Sequence, residues 1–167
     1  LHPNLKADFI MANPPFNQKD WRGADELLDD QRWRGYDVPS KSNANYGWIL
    51  HMISKLSENG IAGFILANGA TSGGAEEYKI RRKMIENDLI EAIITLPRDM
   101  FYTTDISVTL WIINKTKNSQ KIVRNDSNKE TRSRKGEILF MDLRRWGSEF
   151  EKKFVELTKE DIQNISA

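Results

Sequence analysis

A chain of 167 residues, 39% of them hydrophobic, can bury one core and fits a single domain. A net charge of +1 and the absence of cysteine exclude a polyanion-coating protein, a disulfide scaffold, cysteine-ligated zinc and a thiol nucleophile. No apolar run approaches the ~20 residues that cross a bilayer, and the opening Leu1-His2-Pro3-Asn4 has no charged-then-apolar leader pattern, so a soluble, cytoplasmic chain with no membrane partner is expected.

Residues 7–12 form a short apolar run that reads as a buried parallel strand. It flows into Asn13-Pro14-Pro15-Phe16. A residue before proline is pushed to extended geometry, so Asn13 ends the strand and cannot open a helix, and Pro15 restricts Pro14 in the same way. Neither proline has an N–H, which leaves the carbonyls of Asn13 and Pro14 available to a ligand. Residues 17–45 are polar and irregular, with Trp21, Trp33 and Tyr36 among charges. Such a loop either presents aromatics to nucleic acid or anchors them to the body, and anchoring is favoured.

Tyr46, Ile49, Leu50, Ile53 and Leu56 recur at helical spacing, with Asn45 as cap and Asn59-Gly60 as stop. His51 lies beside that face with no partner at metal-ligand spacing, and no metal site is expected. Residues 61–66 read as the next strand, followed by a flexible turn through Gly73-Gly74 at its carboxyl end, where ligands bind in doubly wound sheets. A helix over 76–87, strands over 89–95, 107–114 and 137–142, and a capped helix over 158–165 complete the chain. This order predicts an open, mostly parallel sheet whose last members pair antiparallel across a basic loop, residues 115–136. That loop sets Lys115, Lys117, Lys121, Arg124, Lys129, Arg132, Arg134 and Lys135 against only Asp126 and Glu130. A phosphate backbone suits it, and so does plain solvation.

The corner suits one difficult reaction. The lone pair of an exocyclic nucleobase amine is delocalised into the ring and is a poor nucleophile. If the Asn13 side-chain oxygen and the Pro14 carbonyl both accept from the amino hydrogens, nitrogen gains tetrahedral character and its lone pair is aimed at an incoming methyl group. Phe16 would stack on a base extruded from its duplex. A proline-terminated strand with a core phenylalanine would look the same from sequence. Methylation at carbon 5 of cytosine needs a covalent nucleophile, usually cysteine, so its absence fits amine chemistry.

The chain resembles the catalytic subunit of type I restriction-modification DNA methyltransferases, adenine-N6 specific. The likeness rests on residues 7–16, Asn43-Ala44-Asn45-Tyr46-Gly47-Trp48, Phe64-Ile65-Leu66-Ala67-Asn68-Gly69, and Leu96-Pro97 with Phe101-Tyr102-Thr103-Thr104. Residues 134–142 and 157–162 extend it. The resemblance implies an α/β fold: a partial doubly wound, Rossmann-like S-adenosylmethionine-dependent methyltransferase sheet, mostly parallel with antiparallel final strands. It implies residues 1–114 as the C-terminal half of the catalytic domain, 115–136 as a basic loop and 137–167 as closing strand and helix of the same domain. It further implies catalysis by Asn13, Pro14, Pro15 and Phe16, and base stacking by Phe16 and Phe101. Residues 45–48 would pack behind the corner and help shape the active-site wall, as an ordinary core helix also does, and the packing role is favoured. Lys115, Lys117, Lys121, Arg124, Arg132, Arg134 and Lys135 are the DNA-backbone candidates, and the implied partners are DNA, a specificity subunit and a restriction subunit.

The implied methyl donor, S-adenosylmethionine, is normally held by a glycine-rich loop that precedes the Asn-Pro-Pro-Phe motif. No Gly-x-Gly occurs here and twelve residues precede Asn13. The expectation is therefore the C-terminal part of a longer subunit, inactive in isolation, with the cofactor pocket largely missing. Ala67 and Asp105 stand where the family commonly has proline and glycine. Competing readings are a non-catalytic module docking on a specificity subunit, a protein-glutamine N5 methyltransferase, disfavoured because that family usually has tyrosine at the Phe16 position, and cytosine-N4 methylation.

Overall fold

A computed structural model describes residues 2–102, 104–117 and 133–166. Strand β1 (Ala7–Ala12) leads into a long, mostly irregular segment that reaches helix α1 (Asn45–Lys55). Then follow β2 (Leu56–Ala67), α2 (Ala75–Glu86), β3 (Ile90–Thr95), β4 (Val108–Asn114), β5 (Leu139–Asp142), the short strands β6 (Ser148–Phe150) and β7 (Phe154–Glu156), and α3 (Lys159–Ser166). The main sheet has the order β1-β2-β4-β3-β5, and β6 and β7 form a separate antiparallel hairpin.

Four of the five main strands run the same way, and β1, expected as a buried strand, is instead an edge strand with Phe9 and Met11 exposed, since β2 is its one partner among the described residues. The reversed strand is β4, which pairs antiparallel with both β2 and β3, while β5 pairs parallel with β3. The expected antiparallel pairing of 107–114 with 137–142 across the basic loop is therefore corrected. β4 already has β2 and β3 on its two edges, so β5 can add only at the free edge of β3, in β3's own direction.

Two apolar clusters sandwich the sheet. On one face Tyr46, Ile49, Leu50 and Ile53 of α1 and Ile80 and Met84 of α2 bury Phe64, Leu66, Trp111 and Ile113. Phe64 and Trp111 stack with ring centroids 6.3 Å apart, a preferred aromatic geometry. On the other face Ala92, Ile94, Leu96, Val108 and Leu143 form a second cluster, joined by Leu157 and by Ile165 of α3. Helix α3 opens on the anticipated reciprocal cap: Thr158 N–H donates to Asp161 at 2.8 Å and Asp161 N–H to the Thr158 hydroxyl at 3.1 Å.

Helix α1 differs from expectation at both ends. Asn45 lies inside the first turn, and Ala44 is the cap residue with no side-chain bond. The helix stops at Lys55, not at Asn59-Gly60, because the chain turns extended at Leu56 and enters β2 without a loop. The Lys6 and Lys115 ammonium groups donate to the carbonyls of Ser54 and Leu56 at 2.6 and 3.0 Å, satisfying that abrupt end. Gly60 is instead a close-approach glycine: a Cβ there would sit 3.0 Å from the Ala7 carbonyl oxygen and 2.9 Å from a Leu56 methyl.

The roots of the basic segment are fastened to the start of β3. Lys117, fully buried, pairs with Asp88 at 2.6 Å and donates to the Ile90 carbonyl at 2.8 Å. Asp88 also accepts from Gly136 N–H at 3.0 Å, and Arg134 pairs with Glu91 at 2.5 Å. Burial alone would raise the Asp88 carboxyl, but its bonds to Lys117 and Gly136 outweigh burial and hold it below its usual value. A group whose native pKa is depressed contributes stability that is present above its unfolded pKa, about 3.9, and is lost as pH falls through the native value. Lys117→Ala, which removes a buried ammonium and leaves the half-buried Asp88 carboxylate with only its Gly136 bonds, is expected to cost about 1–3 kcal/mol in urea unfolding at neutral pH. The stability gap between the parent and Asp88→Asn should be constant above about pH 5 and shrink below about pH 4.

Candidate active site

Because β1, β2, β3 and β5 run together, their carboxyl ends share one rim of the sheet. Ala67 faces Val108, Thr95 faces both Thr109 and Asp142, and β1 ends beside Phe64 of β2. Residues 13–16, the turn Asn68–Thr71 and residues 96–107 all emerge at that rim. The basic segment leaves from the other rim, where Asn114 faces Ile61 and Leu139 faces Ala92. Six residue steps of strand separate the rims, about 20 Å.

At the corner Asn13 and Pro15 are exposed, while Pro14 and Phe16 are half-buried. Among the described residues no hydrogen bond engages the Asn13 side-chain amide or the Pro14 carbonyl. Phe16 and Phe101 both pack against the second apolar cluster. Phe101 makes an isolated bridge with Thr104. The neighbouring Tyr102 packs edge-on against Phe154 of the β6–β7 hairpin at 4.6 Å, and Val155 N–H donates to the Asp99 carbonyl at 3.0 Å. A shallow pocket lies here, lined by Asp99, Phe101, Tyr102, Thr104, Asp105 and Lys153. Asp105 is exposed and paired with Arg98 at 3.6 Å.

Behind the corner stand three asparagines. Asn17, in the left-handed region at φ +51°, donates its backbone N–H to the Asn45 side-chain oxygen at 3.0 Å and accepts from the Asn45 side-chain nitrogen at 2.9 Å. Asn43 donates to the same Asn17 oxygen at 3.3 Å and accepts from Asn45 N–H at 2.9 Å. Asn45, the first residue of the 45–48 block expected behind the corner, is thus tied to the residue that follows Phe16. Asn17 was not singled out from sequence, since a lone asparagine after Phe16 carries no spacing signal.

The segment between Asn17 and Asn45 is anchored. Trp33 is buried, its indole N–H donates to Leu27 at 2.7 Å, and its ring meets Trp21 edge-on at 6.1 Å. Trp21 donates to Ser40 at 2.7 Å and lies against Gly47 of α1. His51 sits 3.3 Å from the Arg32 guanidinium; burial, then that positive charge, lowers its pKa. Among the described residues no group of acidic, histidine or cysteine side chains could hold a metal ion, and no helix is long and apolar enough to cross a membrane.

Of the seven DNA-backbone candidates, Lys117 is buried and paired, Lys115 is held to the Leu56 carbonyl, and Arg134 is paired with Glu91. These three are engaged within the protein. Lys135 is exposed, and Lys121, Arg124 and Arg132 lie outside the described residues.

The mostly parallel sheet with one reversed strand matches part of the class I methyltransferase fold. A methyltransferase subunit of the type I restriction-modification system from Streptococcus thermophilus superposes with a TM-score of 0.79 at 24% identity, covering 98% of this chain and 31% of that one. The EcoKI M protein superposes with a TM-score of 0.63 at 18% identity, covering 96% of this chain and 30% of that one. The chain belongs to the N-6 DNA Methylase family, which it matches over residues 2–167. It is 39% identical to the type I restriction enzyme HindI methylase subunit of Haemophilus influenzae, over 99% of this chain and 34% of that protein. It is 38% identical to the MjaIX methylase subunit of Methanocaldococcus jannaschii, over 97% of this chain and 27% of that protein. The chain therefore spans no more than about a third of these relatives' length.

The glycines at the corner's rim do not form a cofactor cradle. A Cβ on Gly69 or Gly74 would meet nothing within 4 Å, and the space above Gly73 is filled by the Glu77 side chain. No glycine-rich Gly-x-Gly loop of the kind that would hold S-adenosylmethionine occurs in this sequence. At Gly47 the space is tight: a Cβ would lie 2.9 Å from the Trp21 ring. Alanine favours a helix by about 1 kcal/mol over glycine, while overpacking costs about 1–3 kcal/mol. Gly47→Ala should therefore lose about 1 kcal/mol in denaturant unfolding and shift the tryptophan emission, whereas a stabilised variant would mean that Trp21 yields freely.

Proposed function

We propose that this chain supplies the target-base half of an adenine-N6 DNA methyltransferase of the type I restriction-modification kind, and that by itself it is inactive. Residues 1–114 form the C-terminal half of the catalytic domain, 115–136 a basic loop, and 137–167 the closing strand and helix. The observation that carries this reading is the Asn13–Phe16 corner: two acceptors at the carboxyl rim with no internal partner among the described residues, and Phe16 and Phe101 both packed against the second apolar cluster.

In that reading Asn13 Oδ1 and the Pro14 carbonyl accept the two hydrogens of adenine N6, which turns the nitrogen lone pair out of the ring plane. Phe16 and Phe101 hold the faces of the extruded base, and Pro15 keeps the corner stiff. The methyl donor implied by the family is S-adenosylmethionine, held by protein outside this chain. Lys121, Arg124, Arg132 and Lys135 are the remaining DNA-backbone candidates. The implied partners are DNA, a specificity subunit and a restriction subunit. An assembly role is favoured by a separate observation, the exposure of Phe9, Met11 and Phe140 on the two edge strands, which open water does not favour.

Transfer of a tritiated methyl group from S-adenosylmethionine to DNA tests the reading. The isolated chain should transfer nothing and give no heat with S-adenosylmethionine in calorimetry. The complete methyltransferase containing it should label adenine N6, and Asn13→Ala should lower its kcat by about 10²–10³-fold. Label on another atom, or full activity of the Asn13→Ala enzyme, would overturn the assignment.

A further inference from the structure

Resting on that function, we infer that Asn45 is a positioning residue for the catalytic corner: its buried side-chain amide holds Asn17 in a left-handed conformation and thereby sets the direction of Asn13–Phe16.

Asn45 is 1% exposed in a helical first turn, where asparagine is a poor helix former and a buried amide is costly unless satisfied. Its position is repaid by three bonds. Oδ1 accepts the Asn17 backbone N–H, Nδ2 donates to Asn17 Oδ1, and the backbone N–H donates to Asn43 Oδ1. The first two close a ring that fixes both the backbone and the side chain of Asn17. A second tie runs from Ala44 N–H to the Gln18 carbonyl at 2.9 Å. The chain after Phe16 is therefore fastened at two successive residues to the start of α1, a rigid element whose apolar face is fully buried.

The orientation of each amide is determined by its neighbours. Asn43 uses its oxygen for Asn45 N–H, so it can offer only nitrogen to Asn17. Asn17 must then present its oxygen to both Asn43 and Asn45. Rotating the Asn17 amide to suit a changed residue 45 would set two donors face to face. That locked set makes the two asparagines unequal. At position 17 an acceptor suffices; at position 45 a donor and an acceptor are both required. Asn17→Asp keeps its bonds, whereas Asn45→Asp keeps the bond from Asn17 N–H but turns an oxygen toward the Asn17 oxygen.

The experiment is steady-state methyl transfer by the complete methyltransferase carrying each variant, with thermal unfolding of the same preparations. Asn45→Asp should lower kcat about 100-fold, the scale of a 1 Å misplacement of reacting groups, while KM for DNA stays within about threefold. Asn17→Asp should stay within about threefold of the parent kcat with a melting temperature near the parent's, whereas Asn45→Asp buries a carboxylate against an oxygen, should melt at a lower temperature, and is assayed well below that temperature. An Asn45→Asp enzyme with parental kcat overturns the inference. So does a loss of activity that is equal for both variants, or one that only tracks a lowered melting temperature. If instead the parent fails to label adenine N6, the functional reading falls, and the failure is seen before any variant is compared.

Discussion

The architecture depends on one reversed strand. β4 lies at the centre of the sheet with antiparallel partners on both sides, and its Val108, Trp111 and Ile113 are fully buried. Because its amino end lies with the carboxyl ends of its neighbours, the segment 96–107 is delivered to the rim where β1 ends, and both Phe101 and Phe16 pack against the second cluster. For the same reason β4 ends, at Asn114, on the opposite rim. The polar groups that a buried central strand brings inside are satisfied there. Trp111 donates to the Thr109 hydroxyl at 2.9 Å, and that hydroxyl donates to the Leu66 carbonyl at 3.4 Å.

The first turn of α1 then links two loops of that rim. Asn45 holds the chain after Phe16, and Tyr46, fully buried, donates its hydroxyl to the Ala70 carbonyl at 2.8 Å in the turn after β2. Arg81 of α2 donates to the same hydroxyl at 2.9 Å and to the Gly73 carbonyl at 3.2 Å. Burial pushes the Tyr46 phenol up to about 12, so it stays protonated across the physiological range. Loops are ordinarily the mobile part of a fold. Here the loops after two adjacent strands are referred to one helical turn, which is how a site on loops acquires the precision of a site on rigid elements.

Much of this was legible in sequence, and the boundary of legibility is physical. β1 was read with its observed limits, since an apolar run ended by Asn-Pro-Pro leaves no alternative. The remaining main strands and helices were found within a few residues, because buried apolar runs and helical spacing are local signals. The Thr158–Asp161 cap is local too. What failed was non-local. Gly60 was read as a helix stop, whereas its real constraint is the approach of Leu56 and the Ala7 carbonyl. The pairing of β5 depended on which strand edges were already taken. Lys115, Lys117 and Arg134 counted equally toward a phosphate surface, although Asp88, Glu91 and a backbone carbonyl engage them. The β6–β7 hairpin, whose turn carries Glu151 and Lys152 at φ +50° and +60° instead of Asn-Gly, gave no turn signal at all.

The corner itself shows why a single tether is enough. From Asn13 to Asn17 the backbone has few free torsions: each proline fixes its own φ, and each restricts ψ of the residue before it. Phe16 is held by its side chain on the second cluster. The one soft joint is Asn17, whose left-handed conformation costs a non-glycine residue roughly 1 kcal/mol and would relax if released. The Asn43–Asn45 network meets the chain at that joint and engages both its N–H and its side chain. Stiffness written into the chain by proline, and restraint supplied through space at the residue proline does not reach, together leave the Asn13 amide and the Pro14 carbonyl pointing outward with no internal partner among the described residues.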